Sequence, residues 1–168
     1  VPLGMAIAAG QHSVEHPRIF LFECYRGAAG LRALPDPMAA YTADMRLRFI
    51  DEHDPVRCAE RMTAMAASDT WWTPTLQVLR MSALAGNREF REDPRRRYIP
   101  FVLWAGLWQP DADRAVAHAR HASGRDVDAE LYRLAMDNVR RAHEAGVRIV
   151  AGTDAGDTYV FPGFAIHD

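Results

Sequence analysis

Lysine is absent: all 20 basic residues of the 168-residue chain are arginine. No Schiff-base lysine, P-loop lysine or carboxylated lysine can therefore come from this sequence. Cysteine is scarce. Cys24 and Cys58 stand 34 positions apart with no Cys-x-x-Cys pair, so neither a disulfide framework nor a thiolate zinc site is suggested, and both read as small core residues. Long apolar runs are missing as well. No window approaches the roughly 18 residues of a membrane span, and the opening Val1-Pro2-Leu3-Gly4-Met5-Ala6 lacks the charged segment of a signal peptide. Neither an internal repeat nor a low-complexity stretch is present.

What remains is the composition of an ordinary folded domain, 49% hydrophobic and 25% charged. A net charge of -2 provides no field to gather nucleic acid or an anionic membrane, so neither is expected as a partner. The run Arg95-Arg96-Arg97 reads as a solvated loop edge. The chain starts without methionine, and Phe164-Ala165-Ile166-His167-Asp168 stops in mid-pattern. Residues 1–168 are therefore expected to be one incomplete domain, cut at both ends, with a cytoplasmic compartment as the default.

Three short segments have strand character. Gln11 to His16 follows Gly10 and precedes Pro17. Trp71 to Leu76 is aromatic and β-rich, and Pro74 limits it to an edge, a strand end or a bulge. Val147 to Asp154 is β-branched and ends in glycine and aspartate, the clearest strand of the three. Helices are expected between them, over 19–34, 38–52, 54–67, less regularly over 74–107, and over 110–145. Asp126 or Asp128 can cap the last helical stripe, and Gly146 supplies its left-handed stop. A helix stopped by glycine and followed at once by a hydrophobic strand predicts a parallel sheet.

Strand alternation puts His12, Val14 and His16 on one face and Ser13 and Glu15 on the other. His16 falls at the C-terminal lip, where ligands collect in α/β proteins. Asp154 ends the third segment in Gly152-Thr153-Asp154-Ala155-Gly156, a carboxylate with backbone room for close approach. Read singly, each has a structural alternative: a hydrogen-bonded histidine, and a turn or capping aspartate. Asp154 with Asp157 also admits a phosphatase-like reading, although the Asp-x-Asp-x-Thr arrangement is missing. His118 and His121, three apart, read as a solvated helix face, and the four tryptophans as core or lid packing.

Taken in order, His12-Ser13-Val14-Glu15-His16, Thr73-Pro74-Thr75-Leu76, Ala142-His143-Glu144-Ala145-Gly146-Val147, Gly152-Thr153-Asp154-Ala155-Gly156 and Pro162-Gly163-Phe164-Ala165-Ile166-His167 resemble the second half of an amidohydrolase, in the imidazolonepropionase-like and prolidase-like branch. The resemblance implies an α/β fold: a partial TIM (β/α)8 barrel, roughly strands six to eight with helical insertions. It also implies a divalent metal cofactor, Zn2+ first, as one or two ions in the intact enzyme.

In that family the ligands are a His-x-His pair on strand one, a lysine or glutamate on strand four, histidines on strands five and six, and an aspartate on strand eight. His16 corresponds to the strand-six histidine and Asp154 to the strand-eight aspartate, and Val1-Pro2 resembles the residues just after the strand-five histidine. The implied activity is hydrolysis of an amide, peptide-like or cyclic amide C–N bond in a small-molecule or short peptide-like substrate. Asp154 is the expected catalytic acid/base, taking the proton of the attacking water and returning it to the leaving amine. Glu15 is expected to support His16 from the opposite face, and Thr75 and His167 are weaker candidates for substrate contact. With the other ligands absent, the chain by itself is expected to be inactive. A non-catalytic scaffold or interaction domain stays open beside this reading, as does the phosphatase-like one.

Overall fold

A computed structural model describes residues 1–37, 39–119 and 121–164. The expected partial barrel is not what forms: the described residues are predominantly helical and hold one sheet of two three-residue strands. The elements in chain order are α1 (Leu3–Ala8), β1 (Ser13–Glu15), α2 (Arg18–Glu23), α3 (Ala28–Arg32), α4 (Ala43–Asp51) and α5 (Pro55–Ala66). After them come β2 (Trp71–Thr73), α6 (Gln77–Leu84), α7 (Arg88–Arg91) and a 3-10 turn (Pro94–Tyr98). Next, α8 (Phe101–Leu103) passes through a π-helical turn (Trp104–Trp108) into α9 (Gln109–Ala119), and α10 (Val127–Glu144) follows.

The two strands are parallel, with Val14 opposite Trp72. The third segment does not become a strand. It runs parallel beside β2 and makes one bridge, Ile149 to Trp72, in which the Trp72 N–H donates to the Arg148 carbonyl at 2.8 Å and the Val150 N–H to the Trp72 carbonyl at 2.9 Å. The next rung of a parallel ladder would need an N–H at position 74. That residue is Pro74, which has none, so the pairing stops after one bridge and the barrel expectation fails with it.

Helix ends follow their capping chemistry. Asp54 accepts from the amides of Val56 and Arg57 at the start of α5, and Pro55 occupies its first position. Those amides, Arg57's first, hold the Asp54 carboxyl below the usual carboxylate range. Asp126 accepts from Ala129 N at 3.0 Å to open α10, and Gly146, at φ 86°, closes it. Because α10 packs on α6, α4, α5 and α2, its cap influences the whole fold. Asp126→Ala is expected to lower stability by about 1 kcal/mol and Asp126→Asn by much less, read from thermal or urea midpoints; equal midpoints for both variants would remove the cap from this account.

The expected 19–34 helix breaks at Cys24. There the backbone turns aside to pair with 52–54, through Arg26 N to Glu52 O at 3.1 Å, Asp54 N to Cys24 O at 2.8 Å and a Tyr25–His53 bridge. Cys24 and Cys58 are buried, as expected of core residues, but they are also joined in a disulfide that ties the end of α2 to α5. Their spacing carries no signal for this, since the contact arises only when the two helices pack.

Three apolar clusters result. One lies behind the sheet, where Val14 and Trp72 meet Leu3, Phe20, Met62 and Met65. A second joins α2 and α3 to α4, α6 and α10 around Phe49 and Leu131. The third gathers Trp108, Tyr159 and Phe161. The arginine run is not simply solvated: Arg95 lies over Phe161, Arg96 over Trp104 and Arg97 over Tyr98, at 4.8–5.4 Å.

Candidate functional site

The C-terminal ends of β1, β2 and the third segment converge. His16 directly follows β1, Thr75 lies two residues beyond β2, and Asp154 closes the third segment. His16 Nδ1 lies 3.0 Å from Thr75 Oγ1 and 3.3 Å from Asp154 Oδ2. All three residues have left-handed backbones, with φ of 72°, 38° and 54° respectively. Histidine and aspartate tolerate that region moderately, whereas β-branched Thr75 is a true outlier there. Each such residue costs on the order of 1–3 kcal/mol and persists only where its surroundings hold it.

Those surroundings are identifiable. The His16 N–H donates to the Thr73 carbonyl at 2.9 Å, and the His16 carbonyl accepts from the buried Trp72 indole Nε1 at 3.0 Å. Thr75 is buried, and the Asp154 carbonyl accepts from Asp157 N at 3.0 Å. Gly152 lets the third segment approach, since a Cβ there would sit 2.2 Å from Thr73 Cγ2. The His16 and Asp154 side chains remain 55% and 34% exposed, so the pair opens to solvent while its support is buried.

The left-handed turn at His16 also ends the strand's alternation. Glu15 and His16 both border a cavity of about 470 Å3, together with Arg18, Ile19, Phe22 and Arg32. Thr75 touches the imidazole itself. His167 lies outside the described residues.

The donor set suits a divalent ion. Two ligand atoms at about 2.0–2.1 Å from a tetrahedral centre lie about 3.3–3.4 Å apart, the separation of His16 Nδ1 and Asp154 Oδ2. Two protein ligands are fewer than the three of a catalytic zinc site. Among the described residues, the one group of three such side chains is elsewhere: Cys24, His53 and Cys58.

The chain matches no family model, no curated protein and no solved structure.

Sequence reasoning missed Glu23, a buried carboxylate beside the cavity. It accepts from Leu3 N at 2.8 Å, pairs with Arg32, and has Arg61 Nε at 3.6 Å. A charged residue inside the apolar run Phe20-Leu21-Phe22-Glu23-Cys24 was the available signal. His118 and His121 do not share a helix face, because α9 ends at Ala119 and His121 pairs with Asp44 at 2.7 Å. His53 is held below the usual imidazole range, chiefly by burial.

Proposed function

We propose that this chain carries part of a metal-dependent hydrolytic centre acting on an amide, peptide-like or cyclic amide C–N bond. His16 and Asp154 are the residues that hold a divalent ion, Zn2+ first. The observation that carries the reading is the 3.3 Å approach of His16 Nδ1 to Asp154 Oδ2, held by left-handed backbones at both residues and at Thr75. Strain of this kind collects at functional sites, and three of the four left-handed non-glycine residues among the described ones meet here, the fourth, Tyr159, lying in an apolar cluster. The resemblance to amidohydrolases assigns these same two residues as ligands, although the barrel it also implied does not form among the described residues.

A bound divalent ion would supply a water acidified to a pKa of about 7 and a polarised carbonyl. The chain's own residues do the rest. The Thr75 hydroxyl shares His16 Nδ1 with Asp154 and would give up that hydrogen bond when the nitrogen takes an ion. Asp154, a third exposed, can take a proton at a carboxylate oxygen and return it to a leaving amine nitrogen. The cavity beside His16 offers an apolar wall, Ile19 and Phe22, and a cation, Arg18, to a small substrate. Asp154 faces an imidazole and, among the described residues, accepts no backbone amide on its carboxylate, an arrangement that does not favour the phosphatase-like reading.

With two ligands from the described residues, metal binding is expected to be weak and turnover absent until a further donor completes the site. The test is calorimetric titration of Zn2+ into the chain with its disulfide closed, followed by His16→Ala and Asp154→Ala. Each variant is expected to bind at least tenfold more weakly than the parent. Unchanged affinity in both variants, or no binding by the parent, would sink the reading.

A further inference from the structure

We infer that the Cys24–Cys58 disulfide is the oxidised state of a second metal site, in which the two thiolates, the His53 imidazole and the Asn138 amide oxygen hold one Zn2+ once the bond is reduced. The two sulfurs and a His53 ring nitrogen lie within 4.8 Å of one another. Asn138, reaching in from α10, places Oδ1 3.3 Å from His53 Nε2 and 3.7 Å from Cys58 Sγ. In a tetrahedral zinc site with nitrogen, oxygen and sulfur ligands, those two edges measure about 3.3 and 3.6 Å. The sulfurs would have to move to about 3.8 Å apart as ligands, and the imidazole and sulfurs, now within 4.8 Å, would close to about 3.5 Å.

A purely structural disulfide needs no such company. Asn138 is 1% exposed, and its Nδ2 has no hydrogen-bond partner, an arrangement that costs free energy. Its side chain is held against the sulfurs and the imidazole by the packing of α10. The frame does not depend on the covalent bond, because the Asp54 N–H to Cys24 carbonyl bond and the Tyr25–His53 bridge fix the relevant backbones independently. Soft sulfur with imidazole is also the donor set zinc prefers, and these are the chain's only two cysteines, so no other intramolecular disulfide competes.

The chemistry balances with a dithiol or a trialkylphosphine as reductant. The S–S bond takes two electrons and two protons to give two thiols, while the dithiol becomes a cyclic disulfide, or the phosphine takes oxygen from water and becomes the oxide. Zinc then displaces both thiol protons. The inference is independent of the hydrolytic reading, since it uses none of the same residues.

The experiment uses Co2+ as a spectroscopic stand-in for Zn2+ in the 168-residue chain, reduced anaerobically with a phosphine and its thiols counted. One Co2+ per chain with a thiolate-to-cobalt charge-transfer band, displaced by Zn2+ and absent from the oxidised chain, is the expected result. His53→Ala and Asn138→Ala should each weaken binding at least tenfold, while a His16→Ala/Asp154→Ala double variant should keep the band. Far-UV circular dichroism follows the fold throughout. Absence of the band in a reduced chain that keeps its helices overturns the inference. So does a reduced chain that unfolds and is not refolded by Co2+, or a band indifferent to both His53 and Asn138.

Discussion

Trp72→Ala is expected to lower stability by about 3–5 kcal/mol, a large share of the roughly 5–15 kcal/mol that holds a typical domain folded. Three structural links pass through this residue. Its side chain is fully buried in the cluster behind the sheet, edge-to-face with Phe20 at 4.7 Å. Its backbone is the middle of the three parallel segments, bonded to β1 on one side and to residues 148 and 150 on the other. Its indole N–H holds the His16 carbonyl at 3.0 Å. Truncation opens a cavity where those segments meet, and both ends of the His16–Asp154 contact rest on them. Trp72→Phe separates the contributions, because it keeps most of the apolar volume and loses only the indole donor; a cost of about 1–2 kcal/mol is expected. Urea unfolding followed by circular dichroism measures both variants. A Trp72→Ala midpoint within error of the parent would show that the sheet does not organise the fold as described.

Glu23→Ala is the second large loss, about 3 kcal/mol. The carboxylate's side chain is 3% exposed and serves Leu3 N at the start of α1, Arg32 in α3 and Arg61 in α5. Removing it orphans a buried amide and leaves two guanidinium groups without their counter-ion. Arg32 and Arg61 are 28% and 38% exposed and can turn toward water, which puts the cost at the lower end of the range for a broken buried pair. Glu23→Gln keeps an acceptor for Leu3 N and should lie between the parent and the alanine variant. Because Glu23 and Arg32 act as a unit, Glu23→Ala/Arg32→Ala should be less destabilised than the two single losses added together. Strict additivity of the two would mean that the pair contributes nothing jointly.

Local chemistry made the helix boundaries readable. Asp54 with Pro55, Asp126 and Gly146 act within a turn of their own position, and each marks a real end. The two short strands were also visible, β1 between its flanking Gly10 and Pro17 and β2 in its aromatic, β-rich residues. The third strand, the strongest by composition, failed for a reason outside its own sequence: its partner offers Pro74 where the ladder needs an N–H. The break at Cys24, the disulfide and the Glu23 cluster likewise depend on which helices meet, and spacing along the chain does not encode that.

At the site, His16 and Asp154 were singled out by residue type and strand-end position, and they stand 3.3 Å apart. Their left-handed backbones, the Thr75 hydroxyl on the imidazole and the shared position of Glu15 and His16 on one cavity were not readable. Alternation presumes a regular strand, and the strand ends one residue too soon.

On the proposed reading, the left-handed residues His16, Thr75 and Asp154 set stability and ligand binding against each other. Glycine at position 16, 75 or 154 would relax the backbone, and a screen that asks only for heat resistance would favour it at the exposed positions 16 and 154. Under such a screen the chain would drift away from histidine and aspartate while its helices and core stayed intact. A population selected for ligand binding would hold those two letters and accept a lower melting temperature. The residues recovered at these two positions would therefore tell a stability screen from a binding screen.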